Sequence, residues 1–380
     1  YVNVKITGVV AGGFTVGVSL VDVVIEPDLV AKIGGTGGGE SKSVEVDAKS
    51  ISVTAKNIIG SNGYTADTES TSASVGFLLG VDAAVNKITN KTSTYARIGD
   101  YASITTTHAV KVLAENDTKH RAKSGGGAGS LMAAVGVGHA EINTATDTQA
   151  HLGSTPKINA GSLDIQALSH NNNFVDLVTG SVGLLFSGAG VKAKTSDRSK
   201  AKAVLAGGSS ATKNVTLTGS LGANDGRSGG FVLKSENIAE FDHKVLVFSG
   251  GMLAGTGADV DHFIELETLS NVGNNAIINA TDMSITADTE VKKNLHSGKN
   301  LDGYAIAGIA GASSNTTIGL DVDTQVTINN GAKLTVSGNK SVPGAVNFHT
   351  LNEYIIDDES LFVAAGGLAG VGSYTDIVTN

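Results

Sequence analysis

The sequence predicts an all-β chain: a repetitive β-solenoid, parallel β-helix-like, with units of about 51–68 residues. Three observations carry this. An alternating cassette returns six times, at Ile51–Ala55, Val110–Ala114, Leu163–Ala167, Phe231–Ser235, Met283–Ala287 and Leu334–Gly338, with intervals of 59, 53, 68, 52 and 51 residues between their last positions. The apolar residues recur with period two, the spacing of a strand with one buried face. Glycine is abundant (50 of 380), with neither the triplet of collagen nor the low hydrophobicity of a disordered chain.

Each unit reads as three elements in a fixed order. The first is rich in Gly and Ala, as in Val9–Phe14, Ala73–Leu78, Gly125–Val135, Ser181–Val191, Ser249–Ala258, Ala305–Ala312 and Val363–Val371. Small residues alternate there with bulky ones and leave room for close approach of another chain, so Gly13, Gly17, Gly250 and Gly255 are candidate lateral contacts. The second closes on Ala, any residue, an aliphatic and a small residue: Ala31–Gly34, Ala96–Gly99, Ala150–Gly153 and, more loosely, Ala203–Ala206. The third is the cassette, whose central residues Val53, Val112, Ile165, Leu233, Ile285 and Val336 are expected to form one interior column.

Clusters such as Gly34–Gly39, Gly60–Gly63, Asn171–Asn173, Gly222–Gly230 and Asn329–Gly331 read as turns. Asn57, Asn116 and Asn237 follow three cassettes at equal distance and suggest a stacked amide ladder. The best helix candidate, Leu131–Ala145, is interrupted by Gly136, Gly138 and β-branched residues, so no helix longer than about three turns is expected. The units run 1–57, 58–116, 117–170, 171–237, 238–290, 291–356 and 357–380. They read as one continuous array, expected to be a window of a longer polypeptide because the chain opens on Tyr1 without Met and closes partway through a repeat.

Composition narrows the function classes. Aromatics are 4% with no Trp, so the core must be aliphatic and thin. The net charge of −9 argues against a nucleic-acid partner, which needs clustered cations. The most basic stretch, Lys119–Lys123, reads as a solvated turn. The absence of cysteine fits export without disulfides, and no apolar run is long enough for a transmembrane helix.

No catalytic or cofactor motif survives inspection. The string Gly226-Arg227-Ser228-Gly229-Gly230 matches Gly-x-Ser-x-Gly but precedes a strand cassette, whereas a nucleophile elbow needs a strand before it and a helix after. The nine histidines lack zinc-site spacing. The pairs Asp259/Asp261 and Asp321/Asp323 are candidate calcium ligands, since alternation places both carboxylates on one face; Asp357-Asp358-Glu359 is a third acidic group. Solvated acids are the simpler reading of all three.

The order of a Gly and Ala strand (Ala11-Gly12-Gly13), a strand ending in Ala-x-Ile-Gly (Ala96–Gly99) and Val-x-Val-x-Ala (Val110–Ala114) resembles the repeats of leukotoxin-type giant filamentous adhesins of Gram-negative bacteria. These are similar to filamentous haemagglutinins and are exported by two-partner secretion. The resemblance implies an extracellular or cell-surface shaft or filament subunit, non-enzymatic and without cofactor. Its partners are neighbouring repeats or identical copies in a fibre, with the host or surface ligand unnamed. A carbohydrate-active parallel β-helix enzyme is the alternative and a membrane-active toxin segment a weaker one.

Overall fold

A computed structural model describes residues 1–34, 44–154, 157–207, 213–217, 230–294, 300–338 and 344–379. The described residues contain strands and no helix, and the strands pair in parallel. The turn readings at 35–39 and 222–229, and Gly226–Gly229, lie outside the described residues.

Each repeat lays down three stretches. In one repeat the chain runs outward along Ala109–Ser130, returns along Ala133–Thr144 and Asp147–Leu152, and crosses a short third stretch, Lys157–Ala160. The next repeat places Ser162–Gly183, Phe186–Leu205 and Lys213–Leu217 beside these, residue for residue. The outward and return stretches belong to a 16-stranded sheet and the short ones to a 6-stranded sheet. Insertions fall where the stretches join or as loops within the outward stretch, as between Asn57 and Ala66, and parallel pairing with the neighbouring repeat resumes beyond them.

The glycine-rich segments are where the outward stretch turns into the return one, at Gly12 to Phe14 and at Leu131 and Met132. The short residue at the end of the second element lets the chain leave the sheet, as at Gly34, whose φ is +81°. The same place is filled by Ser270–Gly273 and Val326–Asn329, which the pattern of Ala and Ile alone does not reveal.

The inner faces of the outward and return stretches meet, and the space between them is layered. Nearest the short stretch, Val53, Val112, Ile165, Leu233 and Ile285 are buried in one column against Ile98, Ile104, Leu152 and Ile158. Each such aliphatic contributes about 1.5–3 kcal/mol. A second apolar cluster lies further out, containing Ile88, Ile142, Val175, Leu177, Val191 and Val260. Between them runs a polar band of Asn116, Thr118, Asn171, Asn173, Thr144, Thr146, Asp197 and Ser199, all buried.

Several sequence readings are corrected here. Val336 does not join the column: Leu334 pairs with Ile278 in the small sheet, Val336 pairs with Ala280, and Ile285 pairs with Phe348. Asn171–Asn173 is not a turn but the middle of a strand, because the band supplies its amides with partners. Asn171 donates to Ser199 Oγ at 2.7 Å and accepts from Thr118 Oγ1 at 2.7 Å. Lys119–Lys123 is likewise strand, with His120 buried and Arg121 paired to Asp67. Asn57 donates to Asn116 at 2.8 Å, but Ser169 and Thr289 occupy the same column, so the ladder has one amide rung and points inward.

Candidate functional site

The turn between outward and return stretches forms an apolar edge along the molecule. On the outer face of the return stretch, one column reads Phe14, Leu79, Ala133, Phe186, Leu253, Ile309 and Leu368. The next reads Val16, Val81, Val135, Gly188, Gly255, Gly311 and Gly370, and the third Val18, Ala83, Val137, Gly190, Gly257, Ser313 and Gly372. None carries a charge. Phe14 is 72% exposed, Phe186 54% and Leu368 67%. At strand spacings of ~4.8 Å and ~6.6 Å between alternate residues, the seven-strand face covers roughly 600 Å², at the upper limit for a single patch on a monomer. The bulky column stands as a ridge beside a shallow trough of glycines.

Of the candidate contact residues, Gly255 lies in that trough and Gly250 faces out on the outward stretch. Gly13 stands open at the turn, where an added Cβ would meet nothing within 4 Å. Gly17 points inward instead. A Cβ there would come 3.0 Å from Asp82 Oδ1, and one at Gly126 would come 2.6 Å from Asp82 Oδ2. Both glycines make room for a buried carboxylate whose pKa is raised by desolvation.

The acidic pairs sit on the outer face of the return stretch below the apolar columns. Asp259 and Asp261 are taken up by Lys192 Nζ, at 2.8 and 3.3 Å. Asp323 accepts from Gln325 at 2.8 and 3.0 Å, and Asp321 lies with it beside Arg198, Lys200, Glu265 and Glu267. Asp259 and Asp261 belong to a ladder of ion pairs between repeats that also includes Arg198 with Glu265 and Lys200 with Glu267. Among the described residues no group of three or more His, Asp or Glu is arranged to hold a metal ion.

Two further places combine unlike groups. A trough of about 350 Å³ on the outer face of the outward stretch lies between Tyr64 and Asn294 and is lined by Arg121, Phe174, Glu240 and Asp242. The His170 ring, with Nε2 3.6 Å from Glu240 Oε2, holds the Glu240 carboxyl below its usual range, while burial pushes Asp242 up to about 6.

Behind Asp242 lies a buried cluster. Lys293 Nζ is 2.9 Å from Asp358 Oδ1, His243 Nε2 is 3.8 Å from the same oxygen, and His243 Nδ1 is 2.9 Å from His262 Nε2. Asn300 donates to Asp242 Oδ1 at 2.5 Å and to the His243 carbonyl at 2.9 Å. Burial lowers both histidines, His262 to about 3, so they are uncharged at neutral pH. Sequence reading missed this cluster, although Lys293 continues the inward-facing parity of Met283, Ile285, Ala287, Thr289 and Val291, an unusual place for a lysine.

Comparison with known proteins returned no matching family model, no curated relative and no similar solved structure.

Proposed function

We propose that this chain is a β-solenoid shaft: a structural segment of an extracellular filamentous adhesin whose repeats each form one coil. The observation that carries this reading is the parallel repeat-to-repeat pairing, resumed after each loop, together with a charge-free edge running along every coil. A rod needs uniform stacking and a surface for lateral assembly, and both follow from the same period-two pattern. The occupant of the edge is a second copy of the chain. Its face approaches the roughly 800 Å² per partner of a stable interface, and the ridge of Phe186, Leu253 and Ile309 fits the glycine trough beside it. A two-fold arrangement seats each ridge in the other copy's trough.

Sedimentation velocity over a range of concentrations tests the lateral contact. Self-association is expected, with a Leu253→Lys/Ile309→Lys variant shifted to monomer at unchanged circular dichroism. A parent chain that stays monomeric at every concentration, or that instead binds phosphatidylcholine vesicles, would overturn the reading.

A carbohydrate-active role is the second reading, favoured by the trough in which Glu240 is kept ionised and Asp242 kept protonated up to about pH 6. Carboxyls driven apart in this way suit acid and base roles. Turnover of a polysaccharide by the purified chain would place it first.

A further inference from the structure

We propose that Lys293 and Asp358 condense to an intramolecular isopeptide bond that ties two neighbouring repeats together. The inference goes beyond the shaft reading and does not depend on it. Lys293 is fully buried and the Asp358 side chain is only 9% exposed, so the amine and the carboxyl face each other away from water. Their 2.9 Å contact lacks hydrogen-bond geometry at Asp358 Oδ1.

The backbone fixes both partners. Lys293 pairs with Ile356 across the sheet, the Asp357 amide donates to the Lys293 carbonyl at 3.1 Å, and Lys293 Nζ donates to the Asp357 carbonyl at 2.7 Å. Two reactive groups held this way meet at a high effective concentration.

The reaction needs a neutral amine and a neutral carboxylic acid. Passing one proton from Lys293 to Asp358 across their contact produces that neutral pair. The amine lone pair then attacks Asp358 Cγ, the C–N bond forms, the C–OH bond breaks, and the hydroxyl leaves as water with a proton from the nitrogen. The sum is ammonium plus carboxylate giving amide plus water, with no oxidant or further reactant.

His243 is the group that moves the proton from nitrogen to the departing oxygen. Its Nε2 faces Asp358 Oδ1 and has no hydrogen-bond partner among the described residues. Asp242 is a positioning residue. It accepts from the His243 amide at 2.8 Å and from Asn300, which in turn holds the His243 carbonyl.

Intact-mass spectrometry of the purified 380-residue chain decides the matter. The expected mass is lighter than the sequence by one water, and tandem spectra of a proteolytic digest should join the peptide containing Lys293 to the one containing Asp358. Lys293→Arg retains the charge and is expected at the full mass of its sequence. A parent chain at full mass overturns the proposal. So does a water loss that persists in Lys293→Arg, as ring closure at Asp302-Gly303 would give. For His243→Gln, slow conversion over time at unchanged circular dichroism is expected, and conversion at the parental rate would remove His243 from the mechanism.

Discussion

Asp197 shows what a single buried acid does to this molecule. It is fully buried, accepts from Ser199, and desolvation pushes its carboxyl up to about 7 against the bonds from Ser199 and Asn171, which lower it. Unfolded, it ionises near 3.8. Between those values the folded chain keeps a proton that the unfolded chain has released. Stability from this group therefore falls as pH rises from about 4 to about 7 and is level above. Asp197→Asn keeps a neutral group of the same shape. The variant is expected to match the parent near pH 4 and to exceed it at pH 8 by roughly 4 kcal/mol, read as urea-unfolding midpoints across pH. His120 acts in the opposite direction. Burial lowers it to about 4, so stability is lost as pH falls from about 6.5 and the unfolded imidazole takes up a proton first.

Among the strands, position in the layers decides what a cassette residue is worth. Ile285 is fully buried, whereas Val336 belongs to the short stretch and is half-buried. Ile285→Ala is expected to cost about 2–4 kcal/mol and Val336→Ala about 1 kcal/mol or less, measured by equilibrium denaturation. The two were indistinguishable in sequence. Leu334-Thr335-Val336 alternates as Met283-Ser284-Ile285 does, and period two states which face is buried without stating which stretch the strand joins. The partner of Met283 is Val346, whose strand carries Phe348 and His349 and so looks less like a cassette. What was legible is what local alternation encodes: strand character, the absence of helices among the described residues, and turns such as Gly60–Gly63, where the Gly63 amide bonds the Gly60 carbonyl. What was not legible depends on residues brought together across repeats. The contacts of Lys293 with Asp358 and of Asp82 with Gly126 join positions 65 and 44 apart, and the outer columns of the apolar edge emerge only when seven turns are laid side by side.

At the scale of the whole molecule, the middle repeats are sheltered on both sides, while Val2–Ile25 and Leu368–Thr379 pair with one neighbour each. Hydrogen exchange is expected to be slowest at Leu163–Ala167 and Phe231–Ser235 and fastest in the two end strands, since opening an end breaks one set of ladder bonds and opening the middle breaks two. Exchange uniform along the chain would contradict this order. The polar band has a consequence for assembly of the stack. A slip of one residue between adjacent strands reverses every face and is strongly penalised. A slip of two preserves the faces, and an aliphatic interior would tolerate it. Here a two-residue slip would shift Asn171 and Asn173 along the strand and out of line with the hydroxyls and carboxyl that satisfy them. The band thus works as a keyway does on a shaft: it adds little grip, but each turn can seat on the last at only one offset.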